Sequence, residues 1–385
     1  MGNPPKYVEN IIKTLTQAGF RSVLVGGCVR DCLMGRRPAD WDIASSASPE
    51  QVTELFRRTV PTGASHGTVT VFAGKRGCEV TSFRADGDYA DGRHPDSVRF
   101  TGSLEEDLKR RDFTVNAMAM EPDGRITDLF GGQDDIERRL IRCVGDPETR
   151  FGEDALRMLR AYRFSAQLGF GIESATLAAA KKRAPLCAGL SAERVRDELK
   201  KTLYSPRPQI TGDMLSAGLL AAYTLPSAHA PELSALARLP LYARLAHLCA
   251  ALESAGAVAS SRDFLTELKF EKNTILTASR AAYIIRSGSR DFKRMLRDNG
   301  EAAVIAAYPG SRALRRVTSG GECWSIRQLA VTGEDMRALG YRGRDIGLAL
   351  DCLLEHVIDF PEDNDVDILC KLAQRKDKTW ETGSN

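Results

Sequence analysis

The chain has 385 residues, a formal net charge of +3 and 43% hydrophobic residues. This length exceeds what one hydrophobic core usually fills, so we expect two or more domains. Because no apolar run reaches the roughly 18 residues that span a bilayer and the N-terminus lacks a signal-like core, we expect a soluble cytoplasmic protein without membrane contact.

The first 135 residues or so have the pattern of a mixed sheet with short helices. Short apolar strands are predicted at residues 22–25 and 40–43. Residues 68–72 and 78–83 are predicted to pair as a hairpin through the turn at residues 74–77.

Helices are predicted from two kinds of signal. Ser48 is a predicted N-cap, with Pro49 at the first helical position and Gln51 completing a capping box. From about residue 136 the spacing of apolar residues becomes helical and stays so. The fold class predicted is therefore α+β, with a mixed sheet first and helices after it.

Cysteine and histidine spacing shows no metal or disulfide pattern. The nine cysteines include no Cys-x-x-Cys pair, and the five histidines form no ligand cluster. We therefore expect reduced thiols rather than a disulfide framework or a zinc site.

Asp40 and Asp42 are candidate metal ligands. Residues two apart in a strand point to the same face, so both carboxylates would project together. An Asp-x-Asp pair alone is also typical of plain turns and of glycosyltransferases. Glu79, on a separate predicted strand, would add the third carboxylate that a two-metal phosphoryl-transfer site commonly needs, or else it is an exposed strand residue.

A glycine pair next to these carboxylates is a candidate phosphate site. Gly26 and Gly27 have no Cβ, so the backbone can approach a phosphate closely and turn its N–H groups toward the oxygens. Arg30 would add a charged fork. Without the neighbouring acidic pair, two glycines would more often form an ordinary turn.

Three segments of the sequence resemble the class II tRNA nucleotidyltransferases, the family of bacterial CCA-adding enzymes and poly(A) polymerases. These segments are residues 26–43, residues 110–119 and residues 153–164. The resemblance runs almost without a gap from residue 21 to about 200, and a weaker similarity continues at residues 331–347.

The resemblance implies a polymerase-β-like nucleotidyltransferase head at residues 1–140 and an all-α remainder. That remainder would comprise a neck (141–205), a body (206–300) and a tRNA-binding tail (301–385). It also implies addition of C, C and A to tRNA from CTP and ATP with Mg²⁺, and leaves the oligomeric state unknown. A CC-adding or A-adding enzyme, a poly(A) polymerase and a non-catalytic RNA-binding protein remain alternatives.

Carried over residue by residue, the resemblance implies roles in metal binding, triphosphate binding and ribose recognition. The metal ligands would be Asp40 and Asp42, the triphosphate residues Gly27 and Arg30, and the ribose residues Arg111 and Asp112. A ribose 2′-hydroxyl both donates and accepts, which suits an arginine beside a carboxylate. Outside this context, the double arginine before Asp112 would be read as a solvated charge pair.

A helix is predicted from Glu153, with a face that carries Asp154, Arg157, Arg160 and Arg163. By spacing alone this would be a solvated basic face. The resemblance instead implies base recognition by Asp154 and Arg157, with Arg160 and Arg163 neutralising phosphates or fixing the geometry of that pair. A carboxylate accepts from the amino group of cytosine or adenine and an arginine donates to the adjacent ring nitrogen, whereas uracil and guanine present the opposite pattern.

Two further regions are candidates for RNA contact and for the switch to adenine. A net charge of +3 does not by itself indicate nucleic acid, so local basic clusters carry that interpretation. The predicted tRNA-contact residues, which are equally typical of a solvated face, are Arg280, Arg286, Arg290, Lys293, Arg294, Arg297, Arg312, Arg315 and Arg316. Residues 84–98 are glycine-rich and long enough for a mobile loop, which disfavours a CC-only enzyme.

Overall fold

The computed structural model describes residues 4–63, 67–86, 98–226 and 231–375. The chain divides into two compact units, Met1–Ala237 and Arg238–Asn385. The described strands all lie in the first unit, and the regular structure described in the second is helical. The prediction of an α+β fold, with a mixed sheet followed by a mostly helical remainder, is confirmed.

A seven-stranded mixed sheet forms the centre of the first unit. The described strands are β1 (Ser22–Val25), β2 (Asp42–Ser45), β3 (Thr59–Gly63), β4 (Thr68–Ala73), β5 (Arg76–Ser82), β6 (Arg84–Asp86), β7 (Val98–Phe100), β8 (Met118–Met120), β9 (Ile126–Asp128), β10 (Leu140–Ile141) and β11 (Gly171–Ile172). The large sheet has the order β3-β4-β5-β2-β1-β8-β9, with β2 parallel to β5 and the other neighbours antiparallel. Separate pairs join β6 with β7 and β10 with β11.

Helices pack on both faces of this sheet and continue beyond it. The described α-helices of the first unit are α1 (Lys6–Gln17), α2 (Gly27–Leu33), α3 (Pro49–Leu55), α4 (Leu104–Lys109), α5 (Gly132–Glu137), α6 (Pro147–Glu153), α7 (Leu156–Leu168), α8 (Ser174–Arg183), α9 (Ala192–Leu203) and α10 (Ile210–Ser216). Short 3₁₀ helices lie at Thr114–Asn116, Ala184–Gly189 and Ala221–Tyr223, and another, Ser234–Arg238, lies at the boundary between the units.

The two faces of the sheet bury different side chains, because successive residues of a strand point to opposite sides. One face, which includes Ile43 and Val80, packs against α1, α2 and α3. The other face, which includes Val25 and Ala44, packs against α4. Asp42 precedes Ala44 by two positions, so its side chain lies on the α4 side of the sheet.

Two local predictions in this region are confirmed. The predicted hairpin is β4 and β5, which pair antiparallel from Thr68–Thr81 to Ala73–Arg76. The Ser48 side chain accepts from the backbone N–H of Gln51, whose side chain accepts from the backbone N–H of Ser48, and Pro49 begins α3. Local side-chain chemistry therefore sets the start of this helix.

The strand predicted at residues 40–43 begins later. Asp40 lies in a bend, and β2 starts at Asp42, where its parallel pairing with Glu79 of β5 also starts. Asp40 therefore precedes the ladder, so the two carboxylates are not both held by strand geometry.

The helix predicted from Glu153 begins later, at Leu156, after a break that separates it from the preceding helix. α6 ends at Glu153, Asp154 has an extended backbone with φ −146° and ψ 106°, and α7 begins at Leu156. Oδ1 of Asp154 accepts from the backbone N–H of Leu156 at 3.0 Å, so this side chain satisfies one of the free donors at the start of α7. The short pair of β10 and β11 is a second departure from a purely helical region after residue 140.

The second unit is built from helices around two apolar clusters. Its described α-helices are α11 (Leu241–Ser254), α12 (Ser261–Glu267), α13 (Lys272–Ser287), α14 (Phe292–Asn299), α15 (Glu301–Ala307), α16 (Arg312–Ser319), α17 (Gly333–Ala338), α18 (Arg344–Asp359) and α19 (Val366–Arg375). One cluster joins α11 with α13 to α16 around Leu296 and Val304. The other joins α17, α18 and α19 around Met336 and Leu353.

Two further features concern membrane-spanning helices and cysteines. None of the helices in the described ranges is both long enough and apolar enough to cross a membrane. All nine cysteines carry free thiols, and seven of them are buried.

Candidate active site

The acidic pair lies at the start of β2. Asp40 is exposed in the bend before the strand, the Trp41 side chain between the two aspartates is buried, and Asp42 is half-buried. Because β2 and β5 are parallel and in register here, Glu79 lies directly beside Asp42 on the neighbouring strand and is exposed. The structure therefore places the three predicted acidic residues in one neighbourhood.

The pKa of Asp42 is raised above its ordinary value. Burial is the largest cause, and the negative charges of Glu79 and Asp40 add to it. The positive charge of Arg111 opposes the shift. A carboxylate in this setting gains from any cation that approaches it.

These carboxylates fit a divalent metal that takes only part of its coordination from the protein. Among the residues that the structure describes, no side chain donates a hydrogen bond to the carboxylate of Asp40, Asp42 or Glu79. Across the same ranges, no three acidic, histidine or cysteine side chains are placed to bind one ion together. Mg²⁺ in phosphate-transfer sites is commonly held by one or two carboxylates together with water and substrate phosphate. Asp40 and Asp42 offer such a donor set, and Glu79 lies beside Asp42 on the neighbouring strand.

A glycine turn precedes α2 and lies close to Arg111, whose charge acts on Asp42. Gly26 has φ +75° and ψ −133°, caps α2, and donates its N–H to the carbonyl of Met118 at 3.3 Å. A Cβ on Gly26 would lie 3.0 Å from Nη1 of Arg111. The sequence needs glycine here both for the left-handed φ and for the close approach of that guanidinium. Gly27 follows as the first residue of α2, whose first backbone N–H groups have no partner within the helix.

Arg111 lies between the glycine turn and the acidic pair. Its Nη2 donates to Oδ2 of the buried Asp107 at 3.0 Å, and Asp107 also holds Arg110 at 2.7 Å. Burial would raise the pKa of Asp107, but Arg111 and Arg110 hold it below its ordinary value. Nε of Arg111 is buried and has no hydrogen-bond partner within the described part of the chain. This donor is therefore unsatisfied in the described part of the chain.

Arg30 is buried, with 8% of its surface exposed. Its Nε and Nη2 donate to Oδ1 of Asp31 at 3.0 and 2.8 Å, and its Nη1 donates to Oδ1 of Asn116 at 2.5 Å. A guanidinium has five N–H donors, so two of them are not used in these contacts.

Asp112 points toward α7. Its Oδ2 accepts from Nε and Nη2 of Arg160 at 2.8 and 2.5 Å. Its Oδ1 accepts from the backbone N–H of Phe113 at 2.8 Å and from Nδ2 of Asn116 at 3.3 Å. Arg111 and Asp112 therefore face different parts of the site, although they are adjacent in sequence.

Arg157 is buried beside the end of α6. It donates to the Glu153 carboxylate, to the carbonyl of Arg150 at 3.1 Å and to the carbonyl of Arg110 at 3.2 Å. Arg150 supports the same corner by binding Glu153 at 2.8 Å and the carbonyl of Lys109 at 2.9 Å. The end of α6 and the start of α7 are thus fastened to the end of α4.

Asp154 has a different partner. Its Oδ2 accepts from Nη2 of Arg194 on α9 at 2.8 Å. The predicted pair of Asp154 and Arg157 is therefore adjacent through the backbone, where Arg157 N–H donates to the Asp154 carbonyl at 3.0 Å. Each side chain is oriented by another residue.

The idea of a solvated basic face on α7 is wrong. Arg157 and Arg163 are each 8% exposed. Arg163 donates to Glu198 of α9 at 2.5 Å and to Gln167 at 2.9 Å. The side chains of Arg160 and Arg163 thus bind Asp112 and Glu198 rather than Asp154 or Arg157. Acidic residues on other elements balance their charges.

Phe164 lies at the centre of the arginines. Its ring centroid is 4.0 Å from the guanidinium carbon of Arg163, 5.3 Å from that of Arg160 and 5.5 Å from that of Arg30. Phe113 contacts the same ring edge-on at 5.8 Å. Cation–π contacts of this kind connect α2 to α7.

Sequence reasoning missed several residues that build this site. Two of them, Asn116 and Phe164, lie inside the segments that carry the family resemblance. The others, Asp107, Arg194 and Glu198, are identified only by their contacts, and the last two lie 40 and 35 residues from the partners they hold. No local spacing signal marks pairs so far apart.

The nine predicted tRNA-contact residues fall into two groups in the second unit. Several are ion-paired: Arg286 with Glu253, Lys293 with Glu322, Arg294 with Asp291, Glu355 and Asp359, and Arg297 with Asp298 and Glu355. Others have no acidic partner among the described residues, namely Arg280, Arg290, Arg312, Arg315 and Arg316. The last three line a shallow depression on α16. Residues 87–97 of the predicted mobile loop lie outside the described residues.

Comparison with known proteins identifies the family of the chain. A family model described as "Poly A polymerase head domain" matches residues 22–142, and one described as "Probable RNA and SrmB- binding site of polymerase A" matches residues 169–231. The CCA-adding enzyme of Geobacillus stearothermophilus is 40% identical over an alignment of 410 positions that covers 99% of each chain. That of Limosilactobacillus fermentum is 37% identical and covers 94% of this chain and 95% of its own. The solved structure of the Bacillus stearothermophilus CCA-adding enzyme in complex with CTP superimposes with a TM-score of 0.82 at 34% identity, covering 97% of this chain and 98% of that one. The chain belongs to the family of CCA-adding enzymes, the class II tRNA nucleotidyltransferases.

Proposed function

We propose that this protein adds C, C and A to the 3′ end of tRNA, using CTP and ATP and releasing pyrophosphate. The observation that carries the proposal is the position of two adjacent residues. Arg111 lies beside Gly26, and its positive charge opposes the rise in the pKa of Asp42. Asp112 accepts hydrogen bonds from Arg160 of α7. Residues 111 and 112 therefore connect the proposed phosphate and metal site to the helix proposed to recognise the base.

The reaction is a phosphoryl transfer. The 3′-oxygen of the RNA forms a bond to the α-phosphorus, the bond between that phosphorus and the β-phosphate oxygen breaks, and pyrophosphate leaves. Members of this family generally depend on a divalent metal, which we propose to be Mg²⁺ held by Asp40 and Asp42. Such an ion would lower the pKa of the attacking hydroxyl and neutralise phosphate charge.

The protein's own groups bind and orient the nucleotide. The start of α2 at Gly27 would present its free backbone N–H groups to the triphosphate, and Arg30 would add its remaining donors. Arg111, whose side chain is partly exposed and whose charge acts on Asp42, would donate to the ribose or the phosphate next to the acidic pair. Asp112 completes the proposed ribose motif, and Glu79 acts through its charge on Asp42.

Base selection is assigned to Asp154 and Arg157. Asp154 would accept from the amino group of cytosine or adenine, and Arg157 would donate to the adjacent ring nitrogen. Arg194 and Glu153 hold these two side chains in place without a nucleic-acid template. Arg160 and Arg163 support this region through their ion pairs with Asp112 and Glu198.

The domain organisation follows the same proposal. We assign residues 1–140 to the catalytic head, 141–205 to the neck, 206–300 to the body and 301–385 to the tail. The compact division after Ala237 falls inside the proposed body. We assign tRNA contact to the unpaired basic residues of the second unit, above all Arg312, Arg315 and Arg316. The free thiols support a cytoplasmic location.

A direct assay tests the function. The protein is incubated with Mg²⁺ and three tRNAs, which lack the CCA end, end in CC, or are complete, with each nucleotide supplied singly and in pairs. Growth by three nucleotides on the first and none on the last is the expected result. Growth by only two nucleotides on the first tRNA would indicate a CC-adding enzyme, and growth by one on the tRNA that ends in CC alone would indicate an A-adding enzyme. Long A tails would indicate a poly(A) polymerase. No incorporation on any tRNA would indicate a non-catalytic RNA-binding protein.

A further inference from the structure

Asn116 lies between Arg30 and Asp112. Its Oδ1 accepts from Nη1 of Arg30 at 2.5 Å, and its Nδ2 donates to Oδ1 of Asp112 at 3.3 Å. The orientation of this carboxamide is fixed by chemistry, because a guanidinium can only donate and an ionised carboxylate can only accept. Asn116 is 6% exposed, so water does not compete freely for either contact.

Both partners of Asn116 also form hydrogen bonds with other residues. Arg30 belongs to α2, behind the glycine turn, and is bound there by Asp31. Asp112 is bound by Arg160 of α7 and follows Arg111 directly in the chain. Asn116 is therefore the polar link between the element that carries the glycine turn and the segment that carries the proposed ribose residues.

We propose that Asn116 is a positioning residue that ties the Arg30 guanidinium to the Asp112 carboxylate, so that triphosphate binding and ribose selection depend on each other. If Arg30 or Asp112 moved and the Asn116 carboxamide rotated with it, the hydrogen bond to the other residue would break. The inference rests on the proposed function, in which Arg30 contacts the triphosphate and Asp112 belongs to the ribose motif. Asn116 itself touches neither the nucleotide nor the reacting atoms.

Two substitutions separate the two halves of this link. Asn116→Ala removes both hydrogen bonds. Asn116→Asp keeps an oxygen acceptor for Arg30 and replaces the donor toward Asp112 with an oxygen. Asn10→Ala is the matched control, because Asn10 is exposed on α1.

Two measurements report the two subsites. The ratio of kcat/KM for CTP to that for dCTP, on tRNA lacking the CCA end, reports ribose selection. Inhibition by inorganic tripolyphosphate in competition with CTP reports the triphosphate site. Thermal unfolding of each variant checks that it is folded.

The expected result is a split between the variants. A hydrogen bond to a charged group is worth about 1.5 kcal/mol or more, so the loss of either one changes its readout by about tenfold. Asn116→Ala lowers the CTP-to-dCTP ratio and weakens tripolyphosphate inhibition, each by about tenfold. Asn116→Asp lowers the ratio similarly while inhibition stays within about twofold of the natural protein, and Asn10→Ala changes neither.

A purely structural role gives a different pattern. If Asn116→Ala lowers CTP and dCTP use in equal proportion, or if Asn116→Asp keeps the natural ratio, the inference is overturned. Should Asn116→Ala fail to fold, Asn116→Asp alone decides through its ratio. If the natural protein extends no tRNA, the proposed function fails; if it extends tRNA and the variants keep its ratio, only this inference fails.

Discussion

Arg160 donates from both Nε and Nη2 to one oxygen of Asp112, at 2.8 and 2.5 Å. Burial would raise the pKa of Asp112, but the charge and hydrogen bonds of Arg160, with the hydrogen bonds from Asn116 and from the Phe113 N–H, lower it to about 2. The pair fastens α7 to the segment that carries Arg111. Its strength therefore contributes both to the fold and to the alignment of the two halves of the site.

The stability of the protein should depend on this pair in a defined pH range. The folded pKa of Asp112 lies below the ordinary value, so the stabilisation is complete above about pH 4 and is lost as the pH falls toward about 2. The shift is equivalent to about 2 kcal/mol at neutral pH. Asp112→Asn leaves the partly exposed Arg160 without its counter-charge and should lower the free energy of unfolding at neutral pH by about 2 kcal/mol.

Urea unfolding at neutral pH and at about pH 3 checks this expectation. The difference between the natural protein and Asp112→Asn should shrink at the lower pH. Asp134→Asn, at an exposed position on α5, should show no such change. A difference that stays constant with pH would mean that the ion pair is not the cause.

Local patterns in the sequence predicted the parts of the site whose determinants are local. The hairpin follows from its turn residues and strand period, and the capping box at Ser48 follows from its side chains. The proximity of Glu79 to Asp42 depends instead on parallel pairing between strands that are distant in sequence. The apolar spacing of residues 155–166 predicted a helix but missed the break before it. That break depends on Asp154, whose side chain caps α7 while its own backbone is extended.

The partners of the arginines were not predictable in this way. A run of basic residues at helical spacing looks solvated when no acid is nearby in sequence. In the structure the acids come from other elements: Asp112 for Arg160 and Glu198 for Arg163. Charged residues are buried only when paired, so burial of this face depends on tertiary contacts that spacing cannot reveal.

Asp154→Asn should change which pyrimidine the enzyme accepts. The substitution keeps the size of the side chain and an acceptor but adds an amide donor, which can serve the carbonyl of uracil. We expect the preference for CTP over UTP to fall by about tenfold or more, since a mismatched polar contact costs about 1 to 3 kcal/mol. Single-nucleotide incorporation with each triphosphate on tRNA lacking its CCA end measures this directly.

Two controls identify the cause of such a change. Glu148→Gln, an acid on α6 that pairs with Lys182 at 2.6 Å, should leave the preference intact. Arg194→Ala removes the residue that orients Asp154 and should lower the preference in the same direction. An unchanged preference in Asp154→Asn would remove Asp154 from base recognition.

The acidic residues of β2 and β5 should differ sharply in importance. Asp42→Asn removes a proposed metal ligand and should lower kcat by at least about a thousandfold, the scale of losing a main electrostatic contribution. Glu79→Gln should lower it by less than about tenfold, because Glu79 acts on Asp42 through charge alone. Loss of this negative charge should also raise the Mg²⁺ concentration that gives half-maximal activity, slightly if Glu79 acts through charge alone and strongly if it is itself a ligand.

The measurement is a Mg²⁺ titration of CTP incorporation for both variants. Glu54→Gln, at an exposed position on α3, is the control for loss of a negative charge. If Glu79→Gln is as inactive as Asp42→Asn, then Glu79 belongs to the metal-binding set.

The exposed arginines of α16 should contribute to tRNA affinity through phosphate contacts. Arg312, Arg315 and Arg316 lie around one depression and have no acidic partner among the described residues, so their charges remain available. Each phosphate contact releases counterions, which makes affinity fall with salt. Replacing all three with alanine should reduce the slope of log affinity against log salt by about 2 to 3.

Fluorescence anisotropy of labelled tRNA over a range of salt concentrations provides the slope. The matched control replaces Arg294 and Arg297, which are already paired with Asp291, Glu355 and Asp359. These two substitutions should lower the melting temperature while leaving the slope close to that of the natural protein. If both sets of substitutions reduced the salt slope equally, ion pairing would not decide which arginines bind RNA. No loss in the first set would place the tRNA contacts elsewhere in the second unit.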